Sequence, residues 1–588
     1  MIGDARFVSL AQDAVDWSRA FRNPRWTATA TALDAVVPVL HAADARSRAG
    51  QWIVLALAYE AAPALDPGLT VQVPPPGGLL AFAAAYDAPQ NQDAVVNGPA
   101  GPVPSVSWAP QVSRQDYDRA LVDIRENIRQ GEVYQVNYTL PLEARFVGDP
   151  AVWFDALARR QGARYNCHLD LGRQHILSFS PELFFSRRGE AVTVRPMKGT
   201  FPRGMTPQAD AAQARALGAS PKNQAENRMI TDLLRNDLGR IARPGSVTVP
   251  ELFTVEPLAT AWQMTSTVTA AVPREIGLAD LMAALFPCGS ITGAPKRSAM
   301  AIINRLEPYP RGFYTGAIGH IAPSGDCAFS VAIRTIELDT ETGRARFGVG
   351  GGITYDSEAG DEYAECRIKA AFLSRSDDGF SLLETLRLDD GRYLFLAEHR
   401  ARLARTAAFY GFSPDTRTID RVLDAKRHSL PHGRHRVRLL VSPDGAIRAE
   451  TFPLPRRQSR PLRLAWADTP VDATDPALAH KTTRRALYDA ALAAHPEHDD
   501  VLLRNTRGEV TESCRANLVV ALDGRLLTPQ AACGLLPGTF RARLLRRGVI
   551  AEASLTPEDL TRADRLWLIN SVRLWMPAIL DAPRPKRL

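Results

Sequence analysis

The hydrophobic positions change their period along the chain. Between Ser113 and Gly131, Tyr117, Leu121, Ile124 and Ile128 recur at three- and four-residue intervals. That spacing predicts a helix opened by Ser113 and stopped by Gly131. Upstream, residues 1–110 show short apolar runs cut by loops rich in proline and glycine, such as VPPPGG and NGPAGPVPS. They read as edge strands and connections of a larger unit. From about 113 to 373 strand and helix patterns alternate. The polar stretch SRSDDG (374–379) ends in glycine and marks a linker, so one domain is expected over 1–373 and another over 380–588. A proline-rich break at PLPRRQSRP (453–461) divides the second into a small and a larger part. The 588 residues exceed what one core of about 250–300 residues holds, which agrees with two domains. The pattern contains no internal repeat.

Two helical patterns carry carboxylates. In ENRMITDLLRNDLGRI (226–241), Ile230, Leu233, Leu234, Asp237 and Ile241 share one stripe, and Glu226 continues it one turn earlier. A carboxylate on an inward stripe must be paired or hold a cation, because a bare buried charge is too costly. In DSEAGDEYAECRIKAAFL (356–373), Glu358, Glu362, Glu365 and Lys369 share one face, while Tyr363, Ala370 and Leu373 share another. By itself that face reads as solvated, with a Glu365–Lys369 pair.

Composition narrows the class without naming a reaction. The chain is 45% hydrophobic and 23% charged, as in ordinary globular proteins. Its 71 basic and 64 acidic side chains give a formal charge of +7 with no long basic run, so nucleic-acid binding is not expected. The most apolar stretch, Trp52 to Ala58, is far too short to span a bilayer. MIGDARFVSL lacks the features of a signal peptide. Six scattered cysteines with no CxxC suit reduced thiols in a cytoplasmic enzyme.

Further motifs give the carboxylates a context. Lys198 lies in RPMKGTFPRG after the strand pattern AVTV, in what reads as a tight turn. CGSITGAPK (288–296) is a glycine-rich turn with hydroxyls, and FGVGGGITYDS (347–357) has three consecutive glycines that let backbone amides approach an anion. Inward carboxylates on two helices suit a hard cation such as Mg²⁺. A small polyanionic substrate bridged by that cation follows.

Taken together and in this order, these motifs resemble the chorismate-utilising family, strongly over roughly 110–373, with LAYEAAPALDP (57–67) resembling the N-terminal part of its aminodeoxychorismate branch. The resemblance implies an α+β fold of two packed β-sheets flanked by helices. It makes Glu226 and Glu365 magnesium ligands, with Glu362 as a neighbouring acid. It assigns Tyr314, Arg334, Gly350 and Gly352 to the substrate's enolpyruvyl carboxylate and Ser290 to the hydroxyl of the glycine turn. Lys198 decides the subtype. Anthranilate synthases carry alanine there, whereas in aminodeoxychorismate synthases the lysine is the nucleophile that attacks C2 of chorismate. Many members carry histidine where this chain has Gln263. A glutamine cannot act as a base, which suits a synthase that retains the pyruvyl group. No G-x-C-x-G turn of a glutamine amidotransferase is present, so ammonia is expected from solution or from a partner subunit.

In the second half, Lys481 stands in LAHKTTRRALYDAALAA at the head of a helical pattern. Glu512 and Asn517 lie in EVTESCRANLVV, a loop feeding a strand. GLLPGTFRARLL (534–545) places Pro-Gly-Thr at a helix start suited to phosphate, and Arg402 lies on the amphipathic EHRARLARTAAFYGF (398–412). This order resembles the fold-type IV pyridoxal-phosphate enzymes over most of 380–588. The resemblance makes Lys481 the Schiff-base lysine and Glu512 the partner of the pyridine nitrogen. Arg402, Thr539, Ser571 and the backbone amide of Phe540 become phosphate contacts. Arg436 and Arg438 suit either a substrate carboxylate or a plain charged strand face. Within that family a lyase and an aminotransferase remain open, as does a domain that only docks an amidotransferase. Adjacency to a synthase favours the lyase, and hence 4-aminobenzoate for folate. A homodimer is expected by family analogy only.

Overall fold

The computed structural model describes residues 3–581 except 11–16, 91–103, 105, 205–206, 258–260, 375–379, 411, 413, 444, 456–459 and 474. The linker expected at 374–379 falls almost wholly outside the described residues. The chain forms two compact units, one of Met1–Pro202 with Gln213–Asp377 and the other of Arg203–Ala212 with Asp378–Leu588.

The first unit is built on two antiparallel sheets, of nine and ten strands among the described residues. Strand Trp52–Leu57 shows how they pack. Ile53, Leu55 and Leu57 face a core shared with helices Leu33–Arg48, Pro221–Gly239 and Leu278–Leu285. Val54 and Ala56 face an inner core with Phe7, Trp17, Phe21 and Phe82. The period-two alternation therefore feeds two cores instead of a core and solvent, and the run reads as continuously apolar. For the same reason the edge-strand expectation is corrected here: Trp52–Leu57 lies inside its sheet, between Ala317–Ile321 and Ala81–Tyr86. A third core under helices Arg114–Arg129 and Pro150–Gln161 covers the outer face of the nine-stranded sheet. Arg114–Arg129 starts at Ser113, whose hydroxyl accepts from the Asp116 amide, and Gly131 takes φ +79° just beyond its end.

The second unit has a four-stranded antiparallel sheet over Leu382–Pro453 and a mixed eight-stranded sheet over Leu462–Leu580, each with its own core. The chain passes from one to the other across 454–461. Among the described residues no helix is long and apolar enough to cross a membrane. All six cysteines are buried and free.

Candidate functional site

Lys198 is not in a turn. Strand Met197–Pro202 pairs with Ala261–Ala271 so that Met197 faces Thr265 and Thr200 faces Gln263, one residue out of step. Lys198 and Gly199 form the bulge, and Gly199 supplies it with φ +86°. Gln263 pins it from the neighbouring strand. Its Nε2 donates to the Gly199 carbonyl (2.8 Å) and its Oε1 accepts from Thr200 Oγ1 (2.9 Å). With both amide ends engaged, Gln263 fixes where Lys198 points.

The bulge aims Lys198 at the glycine-rich strand Arg344–Ile353. A Cβ at Gly352 would lie 2.8 Å from Lys198 Nζ and would run into the Gln135 amide. Gly352→Ala should therefore displace the lysine and slow any reaction that uses its amine about 10²-fold without unfolding the chain. Steady-state rates beside circular dichroism check this; an unchanged rate would mean that the lysine works elsewhere. Gln135 is buried, and neither end of its amide has a hydrogen-bond partner. An orphaned buried amide beside the lysine amine leaves a donor and an acceptor that a ligand could satisfy.

The two carboxylate-bearing helices converge on the same place. Burial holds the Lys198 amine below its ordinary value, against the pull of Glu226 and with Lys369 reinforcing it. Among the described residues no hydrogen bond or ion pair holds Nζ. Burial pushes the Glu226 carboxyl up, partly offset by Lys198, while Glu362 and Glu365 add repulsion. Glu362 is also raised by burial, and its Oε1 accepts from Ser357 Oγ (2.7 Å). Burial acts on Glu365 too, but Lys369 at 2.7 Å holds it below the usual carboxylate range. The Glu365–Lys369 pair expected from spacing is thus present, and Lys369 Nζ also donates to the Gly350 carbonyl (2.8 Å). The face is not simply solvated, because Glu362 is buried against Gly351. Glu358 precedes the helix Ala359–Ser374 and is exposed. Asp237 is paired with Lys296 at 2.9 Å, and Ile241 lies past the helix end at Gly239.

The buried Tyr314 ring lies where a Cβ on Gly348 would be. Burial lowers the Arg334 guanidinium to about 10, and among the described residues no ion pair or hydrogen bond holds it. Ser290 is buried in the short turn Gly289–Ile291, its Oγ 3.2 Å from Cys288 Sγ. Sequence reasoning missed Glu182, which acts electrostatically on Lys198 and whose carboxyl burial pushes up to about 7. Its Oε1 has no hydrogen-bond partner. Nothing in the string SPELFF marks it; only the fold brings it near.

The second unit gathers a separate set. Strand Leu382–Asp389 carries Glu384, whose Oε1 accepts from Arg402 Nε (2.8 Å) and whose Oε2 accepts from Arg402 Nη2 (2.6 Å) and lies 2.6 Å from His399 Nδ1. His399 Nε2 reaches Thr539 Oγ1 at 3.5 Å. Glu384 and His399 thus position Arg402 and Thr539, and neither was singled out in the sequence. The amide of Leu383 donates to the Lys481 carbonyl (3.0 Å), tying the lysine to the same strand. Burial first, then Arg402, lowers Lys481 to about 8. The helix after it starts only at Ala486.

Glu512 lies in a strand, Val510–Ser513, not in a loop. Its carboxylate accepts from Tyr488 OH (2.9 Å), the Leu536 amide (3.0 Å) and Asn517 Nδ2 (3.0 Å), yet burial still pushes it up to about 7. Helix Thr539–Arg546 starts after Gly538, as the Pro-Gly-Thr pattern predicts, and Phe540 is buried at its head. Ser571 Oγ donates to the Thr385 carbonyl at 3.3 Å, one residue from Glu384. Of the two arginines left open, Arg438 pairs with Glu450 (3.2 Å) and Arg436 lies over the Phe452 ring (4.7 Å).

Residues 79–375, half of the chain, match the family of chorismate binding enzymes. The chain belongs to that family. Residues 381–579 match amino-transferase class IV. Aminodeoxychorismate synthase component 1 of Klebsiella aerogenes is 42% identical over 286 residues, 48% of this chain and 63% of that protein. Aminodeoxychorismate synthase of Streptomyces griseus is 42% identical over 302 residues, 50% of this chain and 41% of that protein. The chain thus spans less than two thirds of the length of either relative. The crystal structure of anthranilate synthase component I from Streptococcus pneumoniae superposes with a TM-score of 0.53 at 24% identity, covering 63% of this chain and 92% of that one. At that identity the likeness is one of fold, and it agrees with the two packed sheets. The chorismate binding match contains both carboxylate helices, Lys198 and the glycine strand; the class IV match contains Lys481, Glu512 and the Arg402 cluster.

Proposed function

We propose that this chain makes 4-aminobenzoate in two steps: its first unit aminates chorismate to 4-amino-4-deoxychorismate, and its second removes pyruvate from that product. The observation that carries the reading is the Lys198 amine, unpaired, partly desolvated and aimed by a bulge at Gly352 beside three glutamates. A neutral amine is a nucleophile, and burial favours the neutral form.

In this reading Lys198 Nζ attacks C2 of chorismate, the ring double bonds shift, and the C4 hydroxyl leaves as water. Glu182, protonated in a useful fraction near neutrality, gives that oxygen its proton. Ammonia then adds at C4 and the Lys198 amine departs from C2. Arg334 and Tyr314 bind the enolpyruvyl carboxylate, with the glycine strand and Ser290 completing the pocket. Glu226, Glu362 and Glu365 fit Mg²⁺, because they gather three carboxylates from two helices, two of them raised first by burial and then by their acidic neighbours. Held by these residues, the ion would offset the negative charge of the substrate's carboxylates. The names of the relatives support amination, and a "component 1" name supports ammonia delivered by a separate amidotransferase subunit.

The second unit fits pyridoxal phosphate on its own donor set. Lys481 is a desolvated amine near its neutral point, Glu512 keeps an acceptor for a ring nitrogen beside its three donors, and Arg402, Thr539, Ser571 and the Phe540 amide suit a phosphate. When bound, the cofactor supplies an electron sink. Neutral Lys481 Nζ takes the C4 proton of the substrate, and Tyr488 and Asn517 hold Glu512 in place.

To test the second step, the protein is given 4-amino-4-deoxychorismate and pyridoxal phosphate without any 2-oxoacid. Formation of 4-aminobenzoate and pyruvate supports the lyase. Consumption that requires a 2-oxoacid would replace it with an aminotransferase.

A further inference from the structure

A cluster of histidines and a carboxylate in the second unit is separate in sequence from Lys481, Glu512 and Arg402. After helix Ala486–Ala494 the chain runs His495-Pro496-Glu497-His498, and one ligand atom from each of His495, Glu497 and His498 falls within 4.8 Å of the others. Two observations separate this group from a chance surface cluster. His495 Nε2 and His498 Nδ1 are both buried without a hydrogen-bond partner, and here two such nitrogens lie in one cluster with a carboxylate. In addition, the His498 side chain is only 8% exposed, and its other nitrogen, Nε2, lies 3.1 Å from Asp581 Oδ2. With Nε2 beside that carboxylate, Nδ1 is the nitrogen on the side of Glu497, 3.4 Å from its Oε1. A carboxylate behind a histidine is how metal-binding imidazoles are held in tautomer and orientation. Asp468 Oδ2 lies 3.4 Å from His495 Nε2, at the edge of the group of three.

The loop is built rather than loose. The His498 amide donates to the His495 carbonyl (3.1 Å), the Asp499 amide to the Arg463 carbonyl (2.9 Å), and the Arg463 amide to Asp499 Oδ2 (2.8 Å). Arg463 also pairs with Asp581, so the carboxylate behind His498 is itself fixed.

We propose that His495, Glu497, His498 and Asp468 bind a divalent transition metal of the zinc type, with Asp581 orienting His498. Two imidazoles and two carboxylates suit zinc in tetrahedral geometry and disfavour Mg²⁺ or Ca²⁺, which take oxygen ligands. Bonds of about 2.0–2.1 Å require the ligand atoms to close to about 3.3 Å, which a small side-chain rotation supplies. The ion would fasten the end of the helix that carries Tyr488, the donor to Glu512, to strand Leu462–Trp466 and to the end of strand Leu574–Leu580. This assignment is independent of the proposed reaction.

Co²⁺ is the probe, titrated into the full chain with excess Mg²⁺ present to occupy the three-glutamate cluster. One equivalent should produce visible ligand-field bands of a low-coordinate nitrogen site, and Zn²⁺ should bleach them. His495→Ala and His498→Ala should each abolish the bands, and Asp581→Asn should weaken Co²⁺ binding about 10–100-fold. Should an alanine variant fail to fold by circular dichroism, the exposed Glu497→Gln is read instead and should weaken binding at least tenfold. No bands in the unaltered chain, or bands that survive these substitutions in folded protein, overturn the proposal.

Discussion

Lys198→Ala should lower chorismate amination by about 10²- to 10⁴-fold while the second unit still converts supplied 4-amino-4-deoxychorismate at its original rate. The loss follows from position as well as chemistry. Lys198 is the amine that the bulge at Gly199 presents to Gly352, and Gln263 spends both ends of its amide holding that bulge. Lys369 is already engaged by Glu365 and the Gly350 carbonyl and cannot substitute. Lys198→Arg should not rescue, because a guanidinium stays protonated where the reaction needs a neutral nitrogen. Separate assays of the two half-reactions check this. If Lys198→Ala removes both, the sites are not independent, and if it removes neither, the lysine is structural.

Lys481→Ala should have the converse effect: no visible absorption from bound pyridoxal phosphate, no conversion of supplied 4-amino-4-deoxychorismate, and amination unchanged. Burial and Arg402 bring the Lys481 amine down to about 8, so its neutral fraction rises about tenfold per pH unit below that value and levels off above it. The rate at which cofactor-free protein takes up pyridoxal phosphate should follow the same curve. A rate still rising steeply well above pH 8 would mean that the amine is not depressed. Retention of the absorption band in Lys481→Ala would place the attachment elsewhere.

What could be read from the sequence was mainly local or carried by several motifs together. The Glu365–Lys369 pair follows from four-residue spacing on a helix, and Ser113 and Gly131 frame their helix by capping chemistry. The helix after Gly538 starts where Pro-Gly-Thr says it should. What could not be read depends on contacts far apart in the chain. The bulge at Lys198 needs a register set by Ala261–Ala271, more than sixty residues away, so a tight turn was the natural reading of Pro-Met-Lys-Gly. Trp52–Leu57 looked peripheral because its two faces feed two different cores, a fact of sheet packing and not of spacing. Glu182, Gln135, Glu384 and His399 carry no motif of their own. They matter because the fold buries them beside Lys198 or Arg402, and burial is what raises Glu182 and leaves Gln135 without partners.

The most direct test of the two-step reading is a product analysis by mass. The full chain is incubated with chorismate, Mg²⁺, pyridoxal phosphate and isotopically labelled ammonium, with no other enzyme present. The account predicts labelled 4-aminobenzoate with one pyruvate released per ring. Accumulation of labelled anthranilate, or of unlabelled isochorismate, would contradict it.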